Sequence, residues 1–97
     1  MLVVSILHLA LELDYVDSLK EKRSVVKSLK DRIQQRFKIS VAEVDHHDSL
    51  ARATLAAAVV SNSKSHGETV LAKVLSFAEA NAAARVADVT IFSESYD

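Results

Sequence analysis

The chain has 97 residues and is 49% hydrophobic but only 5% aromatic, so it reads as one globular domain whose core is built from Val, Leu, Ile and Ala rather than from large rings. It contains no cysteine, which excludes a disulfide framework, a thiolate nucleophile, Cys-ligated zinc or iron–sulfur sites and a CxxC metal carrier, and which fits a reducing cytoplasm. The net charge of -1 conceals an asymmetry: residues 18–38 hold eight Lys or Arg against two acids, while the remainder holds four basic and eleven acidic residues, a polarity that bears on partners rather than on fold.

The first segment, "MLVVSILHLALEL", has no basic n-region, carries His8 and Glu12, and is too short to span a bilayer, so it is predicted to be a strand and no membrane partner is expected. Its alternation places Val3, Leu7, Leu9, Leu11 and Leu13 on one face and Val4, Ile6, His8, Ala10 and Glu12 on the other, with the first set facing the core. "DYVDS" is a polar connection, and Ser18 with Glu21 makes an S-x-x-E capping box that starts a helix ending near Phe37 or Lys38. Leu19, Lys22, Val26, Leu29, Ile33 and Phe37 form its inward stripe within about 80° of arc.

"ISVAEVD" is the second predicted strand, "HHDSLA" a loop, and "RATLAAAVVS" the third strand. A second helix is predicted over about 65–81, again with S-x-x-E (Ser65, Glu68), turning Val70, Leu71, Val74, Leu75 and Phe77 or Ala78 inward, and "RVADVTIFSES" is the last strand. The order βαββαβ, without linker or low-complexity segment, predicts an α+β ferredoxin-like sandwich over residues 1–97: a four-stranded antiparallel sheet with two helices on one face. Val4, Ile6, His8 and Ala10, joined by Phe92, then occupy the face turned away from the helices. So apolar an open face predicts that a second copy, or another partner, covers it, and a homodimer is the expected state.

Two clusters are candidate sites. On the first helix Lys20, Arg23, Lys27 and Lys30 fall within about 80° of arc on one flank, with Arg32 and Arg36 on the other side of the core stripe. Long basic stems on a solvated helix can simply cover the rim of a core. Cations in register can also neutralise a nucleic-acid backbone, and here only Lys27 and Asp31 make an opposite-charge pair one turn apart. The second cluster is Asp45, His46, His47 and Asp48, residue types that ligate divalent metals or carry protons near neutral pH. Neighbours on a strand point to opposite faces and no HExxH-type pattern is present, so the competing reading is a polar turn whose aspartates accept backbone N–H groups.

Several functions of this fold are disfavoured. The first and third strands carry no Phe, Tyr or Trp on which bases could stack. "DYVDS" supplies neither the glycines nor the arginine of an acylphosphatase-like phosphate cradle, and the only glycine, Gly67, lies at the start of the second helix. No cofactor is expected, no small molecule is suggested, and no catalytic motif is recognised.

The stretch "SLKEKRSVVKSLKDRIQQRFKISVAEVDHHD", followed by "RATLAAAVVSN" and a final helix and strand, resembles the YlxP-like family, small bacterial proteins classed as a domain of unknown function. The resemblance covers essentially the whole chain. It implies a ferredoxin-like fold and a bacterial cytoplasmic protein without assigned enzymatic activity, from genes that in many bacteria sit among those for transcription elongation, translation initiation and ribosome maturation. The matched positions Lys20, Lys22, Arg23, Lys27, Arg32, Glu43, Asp45, His46 and Asn62 thereby become candidates. "HHD" departs from the family's usual His followed by Gln, Asn or another polar residue, which argues against a role that needs two histidines. The expectation is a non-enzymatic binding protein for structured RNA or a ribosomal subunit. Its alternatives are a metal-dependent or acid–base module on the Asp-His-His-Asp loop and a protein-interaction or regulatory domain.

Overall fold

The computed structural model describes residues 1–14 and 16–97; Tyr15, in the predicted polar connection, lies outside them. Six elements follow in the order β1 (Leu2–Glu12), α1 (Leu19–Phe37), β2 (Ser40–Asp45), β3 (Arg52–Ser61), α2 (Lys64–Asn81) and β4 (Arg85–Tyr96). The sheet order is β2-β3-β1-β4 with every pair antiparallel, which is the ferredoxin-like arrangement.

The alternation of β1 decides how the layers meet. Val3, Ser5, Leu7, Leu9 and Leu11 are buried, and Leu7, Leu9 and Leu11 share one core with Val26, Leu29 and Ile33 of α1 and Leu71, Val74 and Ala78 of α2. Because side chains alternate along a strand, Val4, Ile6, His8 and Ala10 emerge on the opposite face, which neither described helix covers.

At the start of α1 Ser18 is the N-cap, its Oγ accepting the Glu21 N–H at 3.1 Å. The Glu21 carboxylate reaches back to the N–H of Asp17 rather than of Ser18, at 3.1 Å. Lys38 ends the helix in the left-handed conformation (φ 56°), its N–H bonded to the Gln34 carbonyl at 2.9 Å.

The start of α2 differs from expectation. The cap is Ser63, whose Oγ accepts the His66 N–H, so the S-x-x-E at Ser65 and Glu68 is not a capping box. Glu68 is taken by tertiary structure: its Oε2 accepts the Ser93 hydroxyl of β4 at 2.6 Å, and Ser93 in turn hydrogen-bonds the fully buried Ser5 of β1 at 2.7 Å. Ser63→Ala should therefore destabilise the domain by about 1 kcal/mol and Ser65→Ala by no more than about 0.5 kcal/mol, measured by urea unfolding. The reverse order would return the cap to Ser65.

Candidate nucleic-acid interface

On α1 the basic flank occupies about 15 Å of helix between Lys20 and Lys30, at 1.5 Å of rise per residue. Lys20, Arg23 and Lys27 are exposed and Lys30 is half-buried. Lys27 pairs with Asp31 at 2.5 Å, whereas Lys20, Arg23 and Lys30 have no ion-pair partner among the described residues. Arg23, Lys27 and Lys30 line one side of a shallow cleft of about 200 Å³ whose other side is Glu43 of β2. β2 is an edge strand, so this cleft is where the basic flank meets the sheet margin.

Arg32 and Arg36 are not part of that flank. The Arg32 guanidinium donates to the Asn81 side-chain and backbone oxygens at 2.9 and 3.3 Å. Arg32 and Arg36 lie 5.7 and 5.3 Å from the centre of the Phe77 ring, which Phe37 meets edge-on. These two arginines therefore seam the C-terminal ends of α1 and α2, a structural use of cation–π contact.

Lys22 is the residue whose role sequence reasoning missed. It falls on the apolar stripe of α1 and is 1% exposed. Its Nζ donates to the backbone carbonyl of His46, reaches the His47 carbonyl at 3.4 Å and lies 3.5 Å from Glu43 Oε2. That carboxylate oxygen is buried and makes no hydrogen bond of its own, so Lys22 is its compensating charge. His46 stands in the left-handed region (φ 64°), and its carbonyl also accepts the Ser49 N–H at 3.1 Å. Lys22 thus clamps the β2–β3 turn from beneath the helix. The sequence signal was a single cation at the centre of an apolar stripe, one turn before Val26.

The same turn accounts for the Asp-His-His-Asp cluster. Asp45 Oδ1 accepts the N–H of His46 at 2.7 Å, and His46 Nδ1 is hydrogen-bonded to Thr54 Oγ1 at 2.9 Å, on the open side of the sheet. His47 and Asp48 are exposed, and among the described residues no three His, Asp or Glu side chains are grouped as a metal site. His46 instead lines a cleft of about 250 Å³ with Thr54, Arg52, Glu12 and Asp88 at one end of the open face. Asn62 is exposed in the short turn between β3 and the α2 cap.

The remaining candidates, Val4, Ile6, His8, Ala10 and Phe92, do share the open face. Ile6 lies between Ala58 of β3 and Phe92 of β4, and His8 lies between Ala56 and Thr90. Val4 is opposite Val60, which is 70% exposed, and Phe92 is 41% exposed. Near the rim Tyr96 donates its hydroxyl to Glu94 at 2.8 Å, and that hydrogen bond together with the carboxylate's charge holds the phenol above its ordinary pKa.

Comparison with known proteins bears on the identity of this architecture. Residues 4–91 match the family described as "Protein of unknown function (DUF503)". The chain belongs to the DUF503 family. A further similarity is to the "Uncharacterized protein YlxP" of Bacillus subtilis (strain 168), 40% identical over 60 residues, a match covering 62% of this chain and 65% of that relative's length. The DUF503 match takes in both candidate sites on α1 and on the β2–β3 turn, together with β1 from Val4 onward and all of β3, the two central strands of the open face. No described helix of this DUF503 chain is long and apolar enough to cross a membrane.

Proposed function

We propose that this protein is a non-enzymatic binding protein of the bacterial cytoplasm that engages structured RNA, such as that of a ribosomal subunit, by seating its phosphates on α1. The observation that carries the reading is the set Lys20, Arg23, Lys27 and Lys30: four cations on one flank, of which only Lys27 has an ion-pair partner among the described residues. Arg32 and Arg36, by contrast, are engaged at the seam with α2. Binding of this kind recognises backbone and shape rather than base edges. The absence of aromatic residues from β1 and β3 agrees with it, as does the neighbourhood of transcription elongation, translation initiation and ribosome maturation genes that the family resemblance implies. The metal or acid–base alternative has less geometric support, since among the described residues no three His, Asp or Glu side chains are grouped as a metal site.

The test is co-sedimentation with small ribosomal subunits and with naked ribosomal RNA across a salt series. Affinity should fall steeply with salt, and the Lys20→Ala/Arg23→Ala/Lys27→Ala/Lys30→Ala variant should lower the log–log slope by about 3, each phosphate contact contributing about 0.7 to 0.9. A folded quadruple variant with unchanged affinity and slope would remove α1 as the site. Capture of a partner that survives nuclease treatment would favour an acidic protein surface instead.

A further inference from the structure

In its two central cross-strand rows, the face of the sheet turned away from the helices is divided by side-chain size. On the β1 and β4 half stand Ile6, Phe92, His8 and Thr90; in the same two cross-strand rows the β3 and β2 half carries Ala58, Ser40, Ala56 and Ala42. A large half beside a small half is what a patch needs in order to complement its own rotated copy, the defining property of an isologous two-fold interface. We infer that two copies of this chain pack sheet to sheet about a two-fold axis that runs parallel to the strands, between β1 and β3.

That axis places β1 over the partner copy's β3 and β4 over its β2. Ile6 then meets the small residue at 58 of the other copy, Phe92 meets the one at 40, and the equivalent valines at 4 and 60 meet each other. A two-fold axis running across the strands would instead set β4 on β4 and β3 on β3, stacking ring on ring at one margin and leaving alanine against alanine at the other. Charge distribution favours the same solution. Glu12 and Arg52 are register partners on this face, so rotation about an axis between their strands sets each carboxylate over the other copy's guanidinium. Arg52 has no ion-pair partner among the described residues, while Glu12 already receives Arg85 and can accept a second donor. The like-charge approach is Asp88 over Asp45, and it falls at the margin beside the cleft lined by His46, where water has access.

The area is sufficient. Strands of 11, 6, 10 and 12 residues at about 3.3 Å per residue and 4.8 Å between strands present a flat projection of about 600 Å². The accessible surface of a corrugated face exceeds its projection, bringing it near the roughly 800 Å² that each partner contributes to a standard interface. In the central two rows, moreover, no Lys, Arg, Asp or Glu interrupts the patch.

The experiment combines mass with cross-linking. Sedimentation equilibrium of the intact chain should give twice the 10.6 kDa of one copy, and Ile6→Asp should return the mass to a single copy while far-UV circular dichroism stays unchanged, because Ile6 lies outside the helix-facing core. Since the chain has no cysteine, Phe92→Cys and Ser40→Cys can each be made as single variants and mixed. A bismaleimide spanning about 10 Å, the spacing of stacked sheets, should join unlike copies at least several-fold more than it joins Phe92→Cys to itself, since β4 and its symmetry mate lie on opposite margins. A single-copy mass at a concentration of about 100 µM, or a dimer in which Phe92→Cys links chiefly to itself, overturns the arrangement. RNA binding by α1, on the other side of the sheet, is scored separately and can fail or succeed independently.

Discussion

Replacing Lys22 with methionine is expected to cost about 3 kcal/mol of folding stability, the scale on which breaking a buried ion pair acts. Methionine preserves most of the stem, so little of the loss comes from packing. The ammonium is what disappears, and with it the donor to the His46 carbonyl and the only cation within 4 Å of the buried Glu43 Oε2 among the described residues. In a domain of this size the change should lower the melting temperature by about 10 °C or more, each kcal/mol being worth about 4–8 °C. Glu43→Gln removes the stranded charge, so in a double-mutant cycle the pair should cost less than the sum of the singles, with a coupling of about 1 kcal/mol or more. Urea unfolding of the four proteins checks this. A Lys22→Met variant within about 0.5 kcal/mol of the parent, or strictly additive losses, would show that the clamp does not hold the turn.

Gly67→Ala gives the second large effect, and its sign opposes helix propensity. Inside α2 alanine ought to stabilise by about 0.5–1 kcal/mol relative to glycine. Here, however, a Cβ on residue 67 would collide with Ser5 Oγ and lie 2.8 Å from Ser5 Cβ. The hydroxyl could rotate away only by breaking its bond to Ser93 in a fully buried setting, and the Cβ cannot move without the β1 backbone. A net loss of about 2 kcal/mol follows from overpacking. Only Ser5→Gly removes both contacts, so that substitution should be less harmful in the Gly67→Ala background than in the parent. Equal cost in both backgrounds, or a stabilised Gly67→Ala, would mean that the helix and strand are not in the close approach described.

These two sites also mark where the sequence stopped being legible. The strand alternation of β1, the Ser18 cap and the inward stripe of α1 are local periodicities, and each could be read from residues a few positions apart. The apolar set Val4, Ile6, His8, Ala10 and Phe92 was legible too, because once β1 is central its second face has to point away from the helices. The α2 cap was not, since Ser63 and Ser65 are both capping residues and Glu68, three positions beyond the second, pointed to it. What decided between them was Ser93, which holds the carboxylate from β4, 25 residues away. Likewise the helical periodicity puts Lys22 on the buried stripe, but a stripe does not say what its cation touches; the answer lies on a turn 24 residues downstream. In the same way Arg32 and Arg36 read as surface charge until Phe77 and Asn81 of the other helix were brought beside them.

The strand order has a consequence for how the chain comes to be folded as it is made. β1 is synthesised first yet stands second from the edge, between β3 and β4. Its eleven residues can pair with β3 once the middle of the chain has emerged, but one flank of backbone N–H and C=O groups stays open until β4 arrives. During that interval the most apolar strand of the protein is an unprotected edge, the condition that recruits other chains into unwanted sheets. Completion of the fold therefore waits on the last strand.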